Sequence, residues 1–223
     1  MKGVHEEHEG RHKGHEGNQI VFMKERDFYN TIEKSGVVEY KDRGSKFIAY
    51  SYPVTTIAEF KLRMDEIKKE HPKATHHCFA YRLGNDKNNF RVSDDGEPSG
   101  TAGKPILGQI DSKDLTDILI VVVRYFGGTL LGVPGLISAY RNAASMAIQV
   151  TPFVQRAIEA RYKLQFDYTQ VNDVMTIIKK FNCSILEQEM QLFCRFLLGV
   201  PVNRQEEFLH RLKELKNMEV GKQ

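Results

Sequence analysis

A single proline divides this chain into two stretches with different hydrophobic patterns. Thr151-Pro152 ends an apolar helical pattern, because the residue before a proline is pushed out of the α region. Strand-like and helix-like segments alternate around glycine-rich loops before this point, and a shorter series follows it. A length of 223 residues suits two compact domains better than one. We therefore expect an N-terminal domain at residues 23–154 and a C-terminal domain at residues 155–223.

The segment 1–22 differs from both predicted domains. It has too few apolar residues to bury a core, and we expect it to be disordered. It contains four histidines among Glu, Gly and Lys: His5, His8, His12 and His15. These could bind a metal weakly, but the favoured explanation is a leader, an appended remnant or a start codon placed too early, with Met23 as the true start.

The pattern after the proline predicts a β-α-β-β-α-β order. Tyr162–Phe166 alternates as a strand does, a helical stripe runs over Val171–Phe181, and a hairpin follows. A second helical stripe begins near Val202-Asn203, and Met218–Val220 is a weak last strand. This order is that of a ferredoxin-like domain.

The pattern before the proline predicts a mixed sheet and helix domain, so that the whole chain is of the α+β class. Thr55 or Thr56 caps a first helix, which stops at His71-Pro72, and other helices are centred on Ile106–Ile110 and Leu136–Val150. The predicted strands are Val37–Tyr40, Ser45–Val54, His77–Leu83, Phe90–Val92 and the fully apolar Ile118–Tyr125.

The composition excludes several classes of protein but does not identify a ligand. No segment approaches the ~20 consecutive apolar residues of a membrane span, and no secretory signal is recognisable. Three widely spaced cysteines argue against a disulfide framework or a zinc knuckle. We expect a cytoplasmic protein. A net charge of +3 neither establishes nor excludes an RNA partner.

Two glycine-rich stretches, residues 93–105 and 124–140, are the strongest functional signals, and together they hold seven of the 17 glycines. Each leads into a predicted helix, where free N–H groups and the helix dipole favour an anion. Tight-turn architecture explains either stretch alone equally well. A nucleotide-hydrolysing P-loop is rejected, because Pro105 follows Lys104. The predicted anion or nucleic-acid contacts are Gly100, Thr101, Gly103, Lys104, Arg124, Gly127, Gly128 and Arg141.

An enzymatic alternative rests on polar residues near the first stretch. Its candidates are His76, His77, Asp94, Asp95 and Glu97, with Cys78 as a conceivable partner of His76. Adjacent strand residues point to opposite faces, so the two histidines are poorly placed to share a metal. Turn chemistry explains Asp94-Asp95-Gly96 better than a metal site does. We assign no catalytic role, metal or cofactor.

The same residues carry a family resemblance. His76-His77-Cys78, the run 93–105, Arg124-Tyr125-Phe126-Gly127-Gly128 and Leu131-Gly132 to Ala139-Tyr140 resemble, in order, the hallmark blocks of the IMPACT/YigZ family. The resemblance covers about Val37 to Gln223. It implies an N-terminal left-handed β-α-β domain like domain IV of elongation factor G and several ribosomal proteins, and a ferredoxin-like C-terminal domain like its domain V. Eukaryotic relatives regulate translation through an additional RWD domain, for which we expect no room here, so that mechanism is not transferred.

Three functions remain open at this point. The first is a translation-associated protein that binds RNA, the ribosome or a protein of the translation machinery, without a membrane partner or DNA sequence specificity. The second is an enzyme acting on a small phosphorylated or acyl substrate at a pocket near His76 and Asp94. The third is a protein-interaction module that uses a sheet face of the C-terminal domain.

Overall fold

The computed structural model describes residues 27–223, and the prediction for the leader 1–22 lies outside this range. The described chain has eleven strands and five α-helices, which confirms the α+β class. The strands are β1 Phe28–Ile32, β2 Gly36–Asp42, β3 Ser45–Pro53, β4 His76–Leu83, β5 Asn89–Ser93, β6 Ile118–Tyr125, β7 Phe153–Ala157, β8 Glu159–Asp167, β9 Ser184–Glu189, β10 Phe193–Pro201 and β11 Glu219–Lys222. The helices are α1 Ile57–Glu70, α2 Gly103–Ser112, α3 Gly132–Gln149, α4 Val171–Lys180 and α5 Gln205–Lys213.

The first sheet has the strand order β2-β3-β6-β4-β5, and all neighbours are antiparallel. Because β3 and β4 both run antiparallel to β6, they are parallel to each other and α1 connects them in a β-α-β crossover. The central strand β6 is buried along almost its whole length, as its uninterrupted apolar run predicts.

Helices cover both faces of this sheet. On one face α1 packs through Phe60, Met64 and Ile67. On the other face α2 and α3 enclose a second apolar cluster, with Tyr140 among its largest fully buried side chains. Thr56 caps α1 by accepting a hydrogen bond from the Glu59 N–H, as the sequence predicts. The two faces of β6 therefore belong to two different cores.

The C-terminal elements form a four-stranded antiparallel sheet of order β11-β8-β10-β9. With α4 and α5 the chain order is β-α-β-β-α-β, which confirms the ferredoxin-like prediction. The weak last strand is present as β11, paired with β8. The two helices pack on one face of the sheet around a core that includes Phe166, Phe196 and Phe208.

The sequence patterns did not predict the two-stranded sheet formed by β1 and β7. Phe28 lies opposite Ala157 and Ile32 opposite Phe153, so this pairing links the beginning of the described chain to the segment after Pro152. The predicted domain boundary between residues 154 and 155 falls inside β7, and the domain limits stay a prediction. No helix within residues 27–223 is long and apolar enough to cross a membrane.

Candidate functional site

Both glycine-rich stretches lie at the same end of the first sheet. The end of β6 carries Arg124, which is paired with His76 at the start of β4 and with Phe47 near the start of β3. The first stretch reaches the same place, since the Asp95 carbonyl oxygen lies 2.7 Å from His76 Nδ1. The strand register therefore brings together residues that the sequence could only name separately.

Within the first stretch, the chain supplies its own anion to the N-terminus of α2. The Asp94 carboxylate accepts hydrogen bonds from the backbone N–H groups of Gly100, Ala102 and Gly103 at 2.9, 3.0 and 2.8 Å. Burial raises the pKa of Asp94, but these hydrogen bonds and the nearby charge of Lys104 outweigh burial and lower that pKa overall. The prediction that the amides of Gly100 and Gly103 await an external anion is corrected by this geometry.

The other residues of the first stretch have mainly structural contacts. A Cβ at Gly103 would lie 2.9 Å from the backbone N of Ser93, so that a side chain there would displace β5. Thr101 is buried and donates its hydroxyl to the Pro98 carbonyl at 2.7 Å. Lys104 is exposed and remains available to a charged partner.

Arg124 is not a surface contact, which corrects its predicted position. It is 5% exposed, and its Nη1 donates to Glu97 Oε1 at 2.6 Å. The guanidinium lies between the rings of Phe47 and Phe126, at 5.5 and 5.7 Å from their centres. The Tyr140 hydroxyl donates to the same Glu97 oxygen at 2.7 Å. Glu97, Arg124 and Tyr140 thus form a buried, charge-compensated cluster, and Tyr140 was missing from the predicted site.

Cys78 belongs to this cluster as a hydrogen-bond donor. Its thiol lies 3.0 Å from the Asp94 carbonyl oxygen and 3.3 Å from the Tyr140 hydroxyl oxygen. Burial raises the pKa of the Cys78 thiol above its ordinary value, and burial likewise raises the pKa of Tyr140. A protonated, enclosed thiol does not suit nucleophilic catalysis.

The two neighbouring histidines face opposite sides of the sheet, as strand geometry requires. His76 shares the α2 and α3 face with Cys78, and its Nε2 lies 3.8 Å from Glu97 Oε1. His77 faces α1, where its Nε2 lies 3.1 Å from the His71 carbonyl oxygen. Asp95 supports the strand start by accepting the His77 backbone N–H at 2.6 Å. Of the five enzymatic candidates, His76 and Glu97 alone line the cavity described below.

The second stretch begins with a close backbone approach and continues as an open loop. A Cβ at Gly127 would lie 1.9 Å from the carbonyl carbon of Gly44, so only glycine fits, and the Gly127 N–H lies 3.3 Å from Ser45 Oγ. Within the described chain, by contrast, no protein acceptor is bonded to the backbone N–H groups of residues 128–131. We call residues 126–131 the amide loop. It precedes α3, which begins at Gly132, four residues before the predicted start at Leu136.

One basic side chain lies beside the amide loop. Arg43 donates from Nη2 to the Leu131 carbonyl at 3.2 Å; its side chain is 50% exposed, and its Nε lies 3.4 Å from Asp42 Oδ1. Lys46 lies on the other face of the sheet, where it covers the ring of Tyr125 and pairs with Glu39 at 3.1 Å. Arg141 is exposed on α3, well beyond its first turn. Arg43 was not among the predicted contacts, because the turn that carries it is distant in sequence from both glycine stretches.

A cavity of about 470 Å³ opens between the amide loop and the segment of Glu97. Its polar floor consists of His76, Glu97 and Arg124, with Thr75 beside them. Its walls are apolar and come from the loop, the start of α3 and Pro98; they are Pro98, Phe126, Leu130, Leu131, Val133 and Leu136. Among residues 27–223 no group of three or more His, Cys, Asp or Glu residues is placed to hold a metal ion.

The open face of the C-terminal sheet is polar rather than apolar. Lys163, Arg195, Glu187 and Glu189 surround Leu197 on that surface. Exposed apolar side chains lie at the β9–β10 hairpin, namely Leu186, Met190, Leu192 and Phe193, and the protein-interaction hypothesis stays a prediction.

Comparison with known proteins relates the chain to one family. Residues 43–148 match the model of the Impact N-terminal domain, a range that includes both glycine stretches. The chain is 37% identical over 186 residues to an IMPACT family member of Haemophilus influenzae, a match that covers 82% of this chain and 90% of that protein. It is 33% identical over 172 residues to IMPACT family member YigZ of Escherichia coli, covering 76% of this chain and 84% of that one.

A eukaryotic relative matches over a shorter range. Protein IMPACT of Xenopus laevis is 38% identical over 96 residues, covering 41% of this chain and 30% of that protein. Among solved structures, one described as the crystal structure of a hypothetical protein superposes with a TM-score of 0.71 at 29% identity, covering 87% of this chain and 97% of that one.

Proposed function

Because the chain belongs to the IMPACT family, we propose that it is a translation-associated binding protein that contacts RNA, on the ribosome or free, through the amide loop and the start of α3. The observation that carries this proposal is the set of unpaired backbone N–H groups at residues 128–131, directly before α3. Such groups bind phosphate oxygens well, because the dipole of the following helix adds partial positive charge.

Two side chains beside the loop support an RNA ligand. Arg43 provides a half-exposed positive charge for a phosphate group. Phe126 is 48% exposed and offers a ring face on which a base can stack. A basic group next to an aromatic platform is typical of sequence-tolerant binding to single-stranded RNA.

The arrangement of the polar candidates favours binding over the enzymatic alternative. Asp94 accepts hydrogen bonds from the α2 N-terminus, and Asp95 accepts one from the backbone at the start of β4. His77 points to the α1 face, where it contacts the His71 carbonyl. The Cys78 thiol is enclosed and its pKa is raised by burial. These assignments leave two of the five candidates facing the cavity, which is too few to assign a reaction.

The test is RNA affinity of the full chain, measured by fluorescence anisotropy with a labelled single-stranded RNA and by co-sedimentation with ribosomes. We expect binding that weakens steeply between about 50 and 200 mM salt, since phosphate contacts release counterions. Changing Arg43→Gln should weaken binding and reduce the salt slope by about 1 if one phosphate contact is lost.

The matched control replaces one exposed lysine of α1, Lys61→Gln, on the opposite face of the sheet. It changes net charge by the same amount, so it separates a local contact from general electrostatics. Absence of binding at low salt, or an equal loss in the control, would contradict the proposal.

A further inference from the structure

The cavity beside the amide loop has the size and walls of a small-molecule site. Its volume of about 470 Å³ lies within the roughly 300–1,000 Å³ range of ligand pockets. Leu130 and Val133, which line it, are 83% and 51% exposed. An apolar body entering the cavity would cover both side chains.

One hydrogen-bond acceptor on the cavity floor lacks a partner. Glu97 Oε1 accepts from Arg124 and Tyr140, but Oε2 has no hydrogen-bond partner within residues 27–223, although the side chain is only 3% exposed. Oε2 is not fully enclosed by protein atoms, so a small molecule can reach it. Glu97 lines the cavity, which is therefore the route of access. A carboxylate oxygen in this position requires a donor.

A second acceptor is supplied by His76. Its Nδ1 lies 2.7 Å from the Asp95 carbonyl oxygen, which can only accept, so Nδ1 is a donor. In the neutral form of the ring Nε2 is therefore the acceptor, and it lies 3.8 Å from Glu97 Oε1. The first glycine-rich stretch orients His76 through Asp95, and the second orients Glu97 through Arg124 and Tyr140.

We propose that this cavity binds a small molecule with a compact apolar body and a hydrogen-bond-donating head: an amino group, which can donate to both Glu97 Oε2 and His76 Nε2, or a hydroxyl, whose single proton goes to one of them. The charge of Arg124 is already compensated by Glu97, so the floor has no net positive charge to attract an anion. An anionic head would bring a second negative charge against the free oxygen of Glu97. The site adjoins the proposed RNA contacts, since Phe126 and the start of α3 belong to both.

A matched series of probes tests the chemistry of the head. Phenethyl alcohol, phenethylamine, ethylbenzene and phenylacetate share one apolar body and differ in the head group. Binding to the full chain is followed by the methyl NMR signals of Leu130, Leu131 and Val133. We expect the alcohol or the amine to shift these signals, ethylbenzene to bind roughly tenfold more weakly, and phenylacetate to bind weakest. The alcohol and amine arms show which donor the site prefers.

Two variants distinguish the site from a general effect on the fold. Val133→Trp fills the mouth of the cavity and should abolish the shifts, whereas Val37→Trp, at a valine that is 58% exposed on β2, should leave them unchanged. His76→Phe keeps a ring but removes the acceptor, so it should weaken the amine, which donates to both acceptors, roughly tenfold and leave ethylbenzene unaffected.

Several results would overturn the assignment. These are phenylacetate binding as tightly as the alcohol, methyl shifts confined to other parts of the molecule, retained binding in Val133→Trp, or no shift with any probe. RNA affinity is measured independently, so the RNA proposal and the cavity proposal can fail separately.

Discussion

Replacing Asp94 tests whether the carboxylate at the start of α2 is a structural anion. Asp94→Ala removes an acceptor that receives three backbone N–H groups. Hydrogen bonds to a charged group contribute about 1.5–3 kcal/mol each, but water can reach amides at a helix end, and loss of an N-cap costs about 0.5–2 kcal/mol. We therefore expect Asp94→Ala to lower the free energy of unfolding by about 2–4 kcal/mol.

Asp94→Asn refines this test, because it keeps one carbonyl oxygen. That oxygen can occupy the place of Oδ1, which accepts from Ala102 and Gly103, and its amide group then faces the Gly100 N–H. The loss should be smaller, about 1 kcal/mol. The folded-state pKa of Asp94 is lower than usual, so its stabilisation is present above the unfolded pKa of about 3.9 and is lost as the pH falls through the folded value. The difference between wild type and Asp94→Asn should shrink over that acidic range.

The assay is urea unfolding followed by circular dichroism, with hydrogen-exchange mass spectrometry to locate the change in α2. Local exchange is needed because two domains need not unfold in one transition. Asp65→Ala on the exposed side of α1 is the control and should stay within about 0.5 kcal/mol of wild type. An unfolding free energy of Asp94→Ala within that same margin would refute the reasoning. So would a gap between wild type and Asp94→Asn that is independent of pH.

Three further predictions follow from the described contacts. Gly127→Ala should destabilise the protein by about 3 kcal/mol or more, because its Cβ would overlap the Gly44 backbone. Gly108→Ala has open space around it and should stabilise α2 by about 1 kcal/mol. Urea unfolding of the two variants measures both changes. Burial lowers the pKa of His71, so the folded state disfavours the protonated ring. The free energy of unfolding should therefore fall as the pH drops below the unfolded pKa of about 6.5. An NMR titration that gives a folded pKa at or above that value would disprove this. Cys78 should react with iodoacetamide at about pH 8 only after unfolding, and rapid labelling of the native protein would contradict its burial and raised pKa.

The sequence determined the elements of this protein because their signals are local. An uninterrupted apolar run identified β6, Thr56 and His71-Pro72 bounded α1, and alternating and helical patterns after Pro152 gave the ferredoxin-like order. The same local blocks were long enough to indicate the family. The pairing of β1 with β7 was missed, because its strands are short and lie at opposite ends of the N-terminal elements, so that no periodicity connects them.

Tertiary structure decided which side chains meet and what each charge contacts. Arg124 and Glu97 are 27 positions apart. The register of β4 and β6 places Arg124 opposite His76, and the contact of His76 with Asp95 brings the segment of Glu97 to the same place, away from water. Glycine-rich stretches before helices suggested two free anion sites, yet Asp94 fills one and the amide loop leaves the other open. A sequence shows the identity of a polar group, whereas its partner and its exposure depend on neighbours that folding brings from distant positions.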